Sequence, residues 1–362
     1  MINCFAPVYG NFGYAVQSRN FFKNLAAFLE LKIYPLSTNR SGYILEHDIA
    51  RLVKRPLAVD PTQPSICLAQ ASQLTAFPGR PRIGYTIFEG TDFPEEEWAG
   101  ITAVDYLWVP SRWAKKILVE KGLQARNIGI VPGGVDVDCF NPEVKPHPKF
   151  HNPNLFTFLS VGKWETRKGH RELVEVFTQT FKNRRDVRLL MAASNPFRPG
   201  EDVSRILDEM ELPEYPLIET IEPLDNDSEM AQLYRCADLF LLFTRAEGWG
   251  LPIVEALAAG VAVLTTDYGP MCDYLSQDYS FPVKPVALEP ITASKAYPRG
   301  AAHGLWARPD YNYMSRVMQV AVERPQVLKK MGRRAARAMR KNWNWKKSAQ
   351  KAVADLKKRN IV

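Results

Sequence analysis

The chain has no C-x-x-C pair. Its five cysteines (Cys4, Cys67, Cys139, Cys236 and Cys272) are odd in number and widely spaced. That argues against a disulfide framework and for reduced, structural thiols in a reducing compartment. Histidine is as scarce, with five residues and no cluster. His147 and His151 stand four apart, but Pro146 and Pro148 forbid the regular helix that would present both to one metal ion. No apolar run approaches the length of a membrane span, and no basic segment leads into a long apolar one near Met1. Neither a transmembrane helix nor a signal peptide is therefore expected. The expected location is the cytoplasm, with peripheral contact at an inner membrane face as the furthest departure from it. Acidic residues are nearly missing from one stretch: Lys329–Arg359 holds thirteen Lys or Arg and one acid, Asp355, a balance of +12. The whole chain carries +8, so the remainder carries −4, and the basic character belongs to the tail.

What is present suffices for packed cores. The 362 residues are 46% hydrophobic and 11% aromatic, and two domains of roughly 150 to 200 residues are expected at this length. Apolar runs at Met1–Tyr9, Leu31–Leu36, Ser65–Ala69, Arg82–Phe88, Tyr106–Val109 and Ile128–Val131 read as strands. A helix is expected up to about Glu30 and another over Ser111–Glu120. Asn141–Asn154 holds four prolines and little apolar content, and reads as a linker. The alternation then restarts, with strands at Leu155–Val161, Val187–Ala193 and Leu217–Ile221 and helices at Lys168–Phe181 and Ser228–Cys236. Residues 273–310 read as irregular, and three helices follow near 310–323, 325–341 and 345–357. The pattern predicts an α/β protein of two halves whose facing strand ends leave a cleft.

Leu239–Asp267 is the most informative stretch. Its two short apolar runs, Leu239–Phe243 and Val261–Thr265, have the pattern of strands buried on both faces. Between them, Pro252 suits the first turn of a helix and Gly260 its end. Ligands of such units bind beyond the carboxyl ends of the strands, at the helix N-terminus, so the loop Thr244–Gly250 is a candidate site. It carries Glu247, and Glu255 follows eight positions later, in the expected first turn of the helix. Alone, a carboxylate at a helix start is ordinarily structural. Here Gly248 and Gly250 let the backbone approach a ligand, presenting the amides of Trp249, Gly250 and Leu251. A carboxylate also accepts two hydrogen bonds from a vicinal diol, such as a sugar or ribose offers. The run Val161–Gly169 places Lys163, Arg167 and Lys168 at a strand end, which suits a diphosphate. A solvated basic loop is the ordinary alternative. Gly10 and Gly13 bracket a short turn before the first helix. Asp136-Val137-Asp138 and Asp225-Asn226-Asp227 have D-x-D spacing, but the first lies in a turn and the second opens a helix, so no essential metal is expected.

The Glu247-x7-Glu255 pair resembles the signature of GT-B retaining glycosyltransferases of the family 4 type (glycosyl transferases group 1). Leu107–Phe140, ending IVPGGVDVDCF, resembles the end of that family's N-terminal domain. The resemblance implies a GT-B fold: two Rossmann-like β/α/β domains facing a central cleft, over 1–148 and 149–340. A C-terminal helix over 341–362, with Trp343 and Trp345 packed in its core, would cross back to the N-terminal domain. Glu247, Lys168 and Arg167 would form the catalytic set, Glu247 on the donor hexose and the two cations on the leaving diphosphate. Glu255 would hold the ribose, Trp249, Gly250 and Leu251 the sugar hydroxyls, and Lys163 and Gly13 the phosphates. A histidine common near Tyr85–Trp98 is absent here; Thr86 or Glu89 occupies that neighbourhood. The implied reaction moves a hexose from a nucleoside-diphosphate sugar to the hydroxyl of a glycan or lipid-linked glycan, with retention and without cofactor or metal. The same chemistry on a nucleic-acid acceptor, and a GT-B protein that binds a nucleotide sugar without turnover, are the alternatives. The basic C-terminal helices add an anionic membrane or nucleic acid to the expected partners.

Overall fold

The computed structural model describes residues 1–37, 42–55, 59–195, 200, 202–222, 224, 226–291 and 303–362. Two compact units emerge, Met1–Gly134 with Trp343–Val362, and Val135–Asn342.

The first unit is built on β1 (Ile2–Ala6), β2 (Leu31–Pro35), β3 (Ser65–Leu68), β4 (Arg82–Tyr85), β5 (Tyr106–Val109) and β6 (Ile128–Ile130). Among the described residues these form one parallel sheet in the order β2-β1-β3-β4-β5-β6. Helices α1 (Gly13–Leu25), α2 (His47–Ala50), α3 (Glu95–Thr102) and α4 (Arg112–Glu120) connect them. Helix α4 shows how its sequence makes it: Ser111 caps it by accepting from the Ala114 amide at 3.1 Å, and Ala114, Ile117 and Leu118 form its buried stripe. Helix α1 ends at Leu25, short of the expected Glu30.

The second unit holds β7 (Phe156–Lys163), β8 (Val187–Ser194), β9 (Leu217–Thr220), β10 (Leu239–Leu242), β11 (Ala262–Thr266) and β12 (Ser280–Val283). Helices α5 (His170–Thr180), α6 (Val203–Asp208), α7 (Asp227–Tyr234), α8 (Leu251–Ala258) and α9 (Met271–Tyr274) lie between strands or follow them. The parallel sheet runs β12-β11-β10-β7-β8-β9 among the described residues. The chain therefore winds outward from β7 in one direction and from β10 in the other. The loops after these two neighbours open at the point where the winding reverses, which is where ligands bind in such sheets. All residues of β10 and β11 are buried, as strands covered on both faces require.

Two sequence expectations need correction. Residues 273–310 are not irregular throughout. They contain β12 at the sheet edge and an antiparallel pair, β13 (Ala287–Pro290) with β14 (Leu305–Arg308). Pro282 and Pro290 masked these strands, because proline is tolerated at sheet edges. Asn141–Asn154 is not a free linker, and the unit boundary falls earlier, after Gly134. The His147 amide donates to the Gln232 carbonyl at 3.0 Å, Arg188 donates to the Phe150 carbonyl, and Phe140 packs on Tyr234. Pro142 packs as well, lying against Gly260.

Helices α10 (Tyr311–Glu323) and α11 (Pro325–Asn342) close the second unit, and α12 (Trp345–Lys358) belongs to the first. There Asp355, the single acid of the basic tail, accepts from Trp108 Nε1 at 2.7 Å and pairs with Arg359 at 2.7 Å. Trp345 is buried against Gly134, while Trp343 is half-buried with Lys351 over its ring.

Candidate active site

The loops after β7 and β10 are stitched together by backbone. The Arg245 amide donates to the Arg167 carbonyl at 2.7 Å. Gly169, in the left-handed conformation, caps α5 and passes so close to the Phe243 carbonyl that a Cβ would lie 2.2 Å from it. A short helical turn, Thr166–Lys168, is thereby pressed against Thr244–Glu247.

Lys168 and Glu247 meet in this contact. Lys168 Nζ donates to Glu247 Oε1 at 2.8 Å and to Oε2 at 2.9 Å, with the two residues 6% and 4% exposed. Arg167 Nη1 lies 3.3 Å from Glu247 Oε1 and donates to the Ala246 carbonyl at 2.6 Å. Its Nη2 donates to Glu165 at 2.5 Å. Lys163, at the end of β7, lies 3.6 Å from Glu165 with 39% of its side chain exposed. Three cations thus face two carboxylates, leaving one positive charge at the mouth of the switch point. Burial alone would raise the Glu247 carboxyl, but Lys168 and Arg167 outweigh it and hold the group ionised, below its usual range.

The loop Thr244–Gly250 is braced from below. Thr244 Oγ1 lies 2.9 Å from Glu247 Oε1, Thr266 Oγ1 donates to the Thr244 carbonyl at 2.6 Å, and Tyr274 OH donates to the Trp249 carbonyl at 2.9 Å. The Trp249 ring packs on Tyr274 at a tilt of 57°, centroids 5.1 Å apart. Gly250 caps α8 at φ +86°, and a Cβ there would lie 2.7 Å from Tyr274 OH. Leu251 is the first residue of α8, whose leading amides have no partner within the helix.

Glu255 lies in the second turn of α8, not the first, and accepts from Tyr234 OH at 2.8 Å. Burial, with help from Asp227, raises its carboxyl to about 7. The sign of this shift fixes a prediction. Between about 4.5 and 7 the unfolded chain has lost a proton that the folded chain keeps, so Glu255 reduces stability as pH rises through that window. Glu255→Gln should therefore raise the unfolding free energy at pH 8, by up to about 3 kcal/mol, and change little at pH 4.5. Denaturant unfolding at both pH values measures it; equal effects at the two would show that Glu255 titrates normally.

Other candidates lie elsewhere. Gly13 belongs to the first unit, where it opens α1 and a Cβ would meet nothing within 4 Å. Thr86 is fully buried and follows β4, while Glu89 is partly exposed. Asp136 accepts from the amides of Asp138 and Cys139, and Asp138 pairs with Arg340. Helix α7 is capped by Asn226, whose Oδ1 accepts from the Glu229 amide at 2.8 Å; Asp225 lies outside the described residues.

Sequence reasoning missed Glu165, Thr244, Arg245, Tyr234 and Tyr274. Glu165 had a local signal, an acid set among three cations, and Thr244 meets Glu247 three positions on; Arg245, Tyr234 and Tyr274 act through partners distant in the chain. Arg245 donates to Glu172 at 2.8 Å and to Glu289 on β13, and lies over the Trp306 ring of β14. The Ala307 amide donates to its carbonyl, and Ala246, Ile291 and Trp306 form a small apolar cluster. The β13–β14 pair is thus clamped onto the loop that carries Glu247.

Residues 143–288, which contain every site residue proposed for the second unit, match the family described as glycosyl transferases group 1. Over that segment the chain is similar to this group. Mannosylfructose-phosphate synthase of Agrobacterium fabrum is 26% identical over 170 residues, covering 42% of this chain and 36% of that protein. The chain spans about a third of the length of the curated relatives that the group 1 segment matches in this way. Among solved structures, Anabaena Alr3699/HepE in complex with UDP-glucose aligns over 99% of each chain, with TM-score 0.73 and 12% identity. Sucrose-phosphate synthase from Thermosynechococcus elongatus aligns over 99% of this chain and 98% of its own, with TM-score 0.74 and 17% identity. The fold around the group 1 segment is GT-B.

Proposed function

We propose that the chain transfers a hexose from a nucleoside-diphosphate sugar to a hydroxyl of a glycan or lipid-linked glycan, with retention and without metal or cofactor. The buried Lys168–Glu247 pair at the switch point of the second sheet carries this reading. A sugar needs an ionised acceptor for its hydroxyls, and Glu247 is held ionised. A departing diphosphate needs a cation fixed in place before charge develops, and such preorganised charge is worth most where water is excluded. Lys168 is that cation: two of its three hydrogens reach Glu247, and the third is assigned to the diphosphate. Arg167, its guanidinium engaged by Ala246 and Glu165, adds charge and holds the loop, and Lys163 meets the outer phosphate. The amides of Trp249, Gly250 and Leu251 take sugar oxygens, and Glu255 takes the ribose. The UDP-glucose bound to HepE supports the donor class.

A thermal-shift screen of UDP-, GDP- and ADP-sugars, followed by transfer from the radiolabelled donor that raises the melting temperature, tests the reading. No shift with any donor, and no transfer of label, would reject it. Glu255→Ala should then weaken donor binding by about 1–3 kcal/mol, because ribose hydroxyls lose their acceptor. Unchanged affinity in that variant removes Glu255 from the ribose.

A further inference from the structure

Helix α11 carries Lys329, Lys330, Arg333, Arg334, Arg337, Arg340 and Lys341, and no acid. Its buried stripe is Leu328, Met331, Gly332, Ala335 and Met339, and all seven cations are exposed. Arg340 pairs with Asp138 at 3.2 Å. Lys330, Arg333, Arg334, Arg337 and Lys341 have no ion pair with an acid among the described residues. Other surface helices of the chain balance their charge at i, i+4: Lys116–Glu120 on α4, Arg171–Glu175 on α5 and Arg205–Glu209 on α6. Helix α11 repeats like charges at that spacing, Lys330 with Arg334, Arg333 with Arg337 and Arg337 with Lys341, which destabilises a helix. It is held by packing instead: a Cβ on Gly332 would lie 1.8 Å from the Gly260 carbonyl. Solubility alone is served by either sign of charge, so it does not account for this run.

We propose that the exposed face of α11 docks on an anionic lipid bilayer. The row from Lys330 to Lys341 spans about 16 Å along a straight helix, a shape suited to a flat charged surface. Val327, 48% exposed and two turns before Arg334, adds an apolar contact on the same face. Helix α11 has no aromatic side chain on which bases could stack, and no Asn or Gln stands between these cations to read base edges. Chemistry and charge therefore favour lipid over nucleic acid, whatever the donor.

Sedimentation of the full chain with phosphatidylcholine vesicles, with and without phosphatidylglycerol at equal total lipid, tests the proposal. Binding should require phosphatidylglycerol and fall with added salt. The R333Q/R334Q/R337Q variant should lose about a hundredfold in partitioning, about fivefold per cation removed. Its melting temperature should equal or slightly exceed the parent's, because glutamine is a good helix former on a solvated face and the like-charge pairs are gone. The R333K/R334K/R337K variant, and K116Q/R205Q on other helices, should bind as the parent does. Equal binding to neutral vesicles, full binding by the glutamine variant, or tighter binding to a DNA oligonucleotide than to the anionic vesicles would overturn it.

Discussion

Lys168→Ala is expected to abolish nearly all sugar transfer and to leave a less stable protein. The variant removes two hydrogen bonds, at 2.8 and 2.9 Å, from a carboxylate that is 4% exposed. Removing one partner of a buried pair costs about 3–5 kcal/mol, since the other charge stays buried. Arg167 at 3.3 Å and the Thr244 hydroxyl at 2.9 Å remain, which places the loss near the low end. The pH dependence follows from the same contact. In the parent, Glu247 is held below its ordinary range, so its contribution is present above the unfolded value of about 4.5 and is lost as pH falls. Without Lys168 that advantage shrinks, and parent and variant should converge in stability as the pH is lowered toward 4. Urea unfolding at pH 7 and pH 4.5 measures this. Lys168→Ala/Glu247→Gln should recover part of the loss, because no uncompensated charge remains. For turnover, the loss of one preorganised donor to developing charge is worth roughly a hundred- to a thousandfold. Glu255→Ala should cost less turnover than Lys168→Ala. If it costs as much or more, the diphosphate lies elsewhere.

Gly169→Ala should have the second largest effect, and on stability first. Gly169 sits at φ +69°, a conformation that costs an L-residue about 1–2 kcal/mol. Its added Cβ would also lie 2.2 Å from the Phe243 carbonyl, a backbone atom at the end of a central strand. Relieving that overlap costs about 1–3 kcal/mol more. The shift would part the two loops whose contact brings Lys168 to Glu247, so transfer should fall with stability. Gly122→Ala is the control: it carries the same kind of strain, at φ +102°, but has nothing within 4 Å. It should cost only the conformational part and leave transfer intact. If the two variants unfold at the same urea concentration, the close approach at Gly169 is not a constraint.

Much of the molecule was legible in residue order. The strands of both sheets other than β12 could be read because short apolar runs bounded by turn residues report burial on both faces, a local property. Glu247, Lys168 and the glycines around them stood out because turn chemistry at a strand end is also local. Prolines misled twice. At Asn141–Asn154 they suggested a free linker, yet the segment is tied into the second unit with Pro142 against Gly260, and at Pro282 and Pro290 they hid strands that an edge position allows.

Sequence by itself determined the α/β class, eleven of the twelve strands of the two parallel sheets, and the two loops where chemistry is expected. Tertiary structure decided what those loops do to each other. Lys168 reaches Glu247 across 79 positions of chain because β7 and β10 are neighbours at the centre of the sheet. Tyr234 finds Glu255, and Arg245 ties β13 and β14 to the loop of Glu247, through contacts that no local pattern encodes. Periodicity and turn residues depend on near neighbours. Charge pairing and desolvation depend on which distant residues the fold brings within a few ångströms, and those set the protonation of both glutamates.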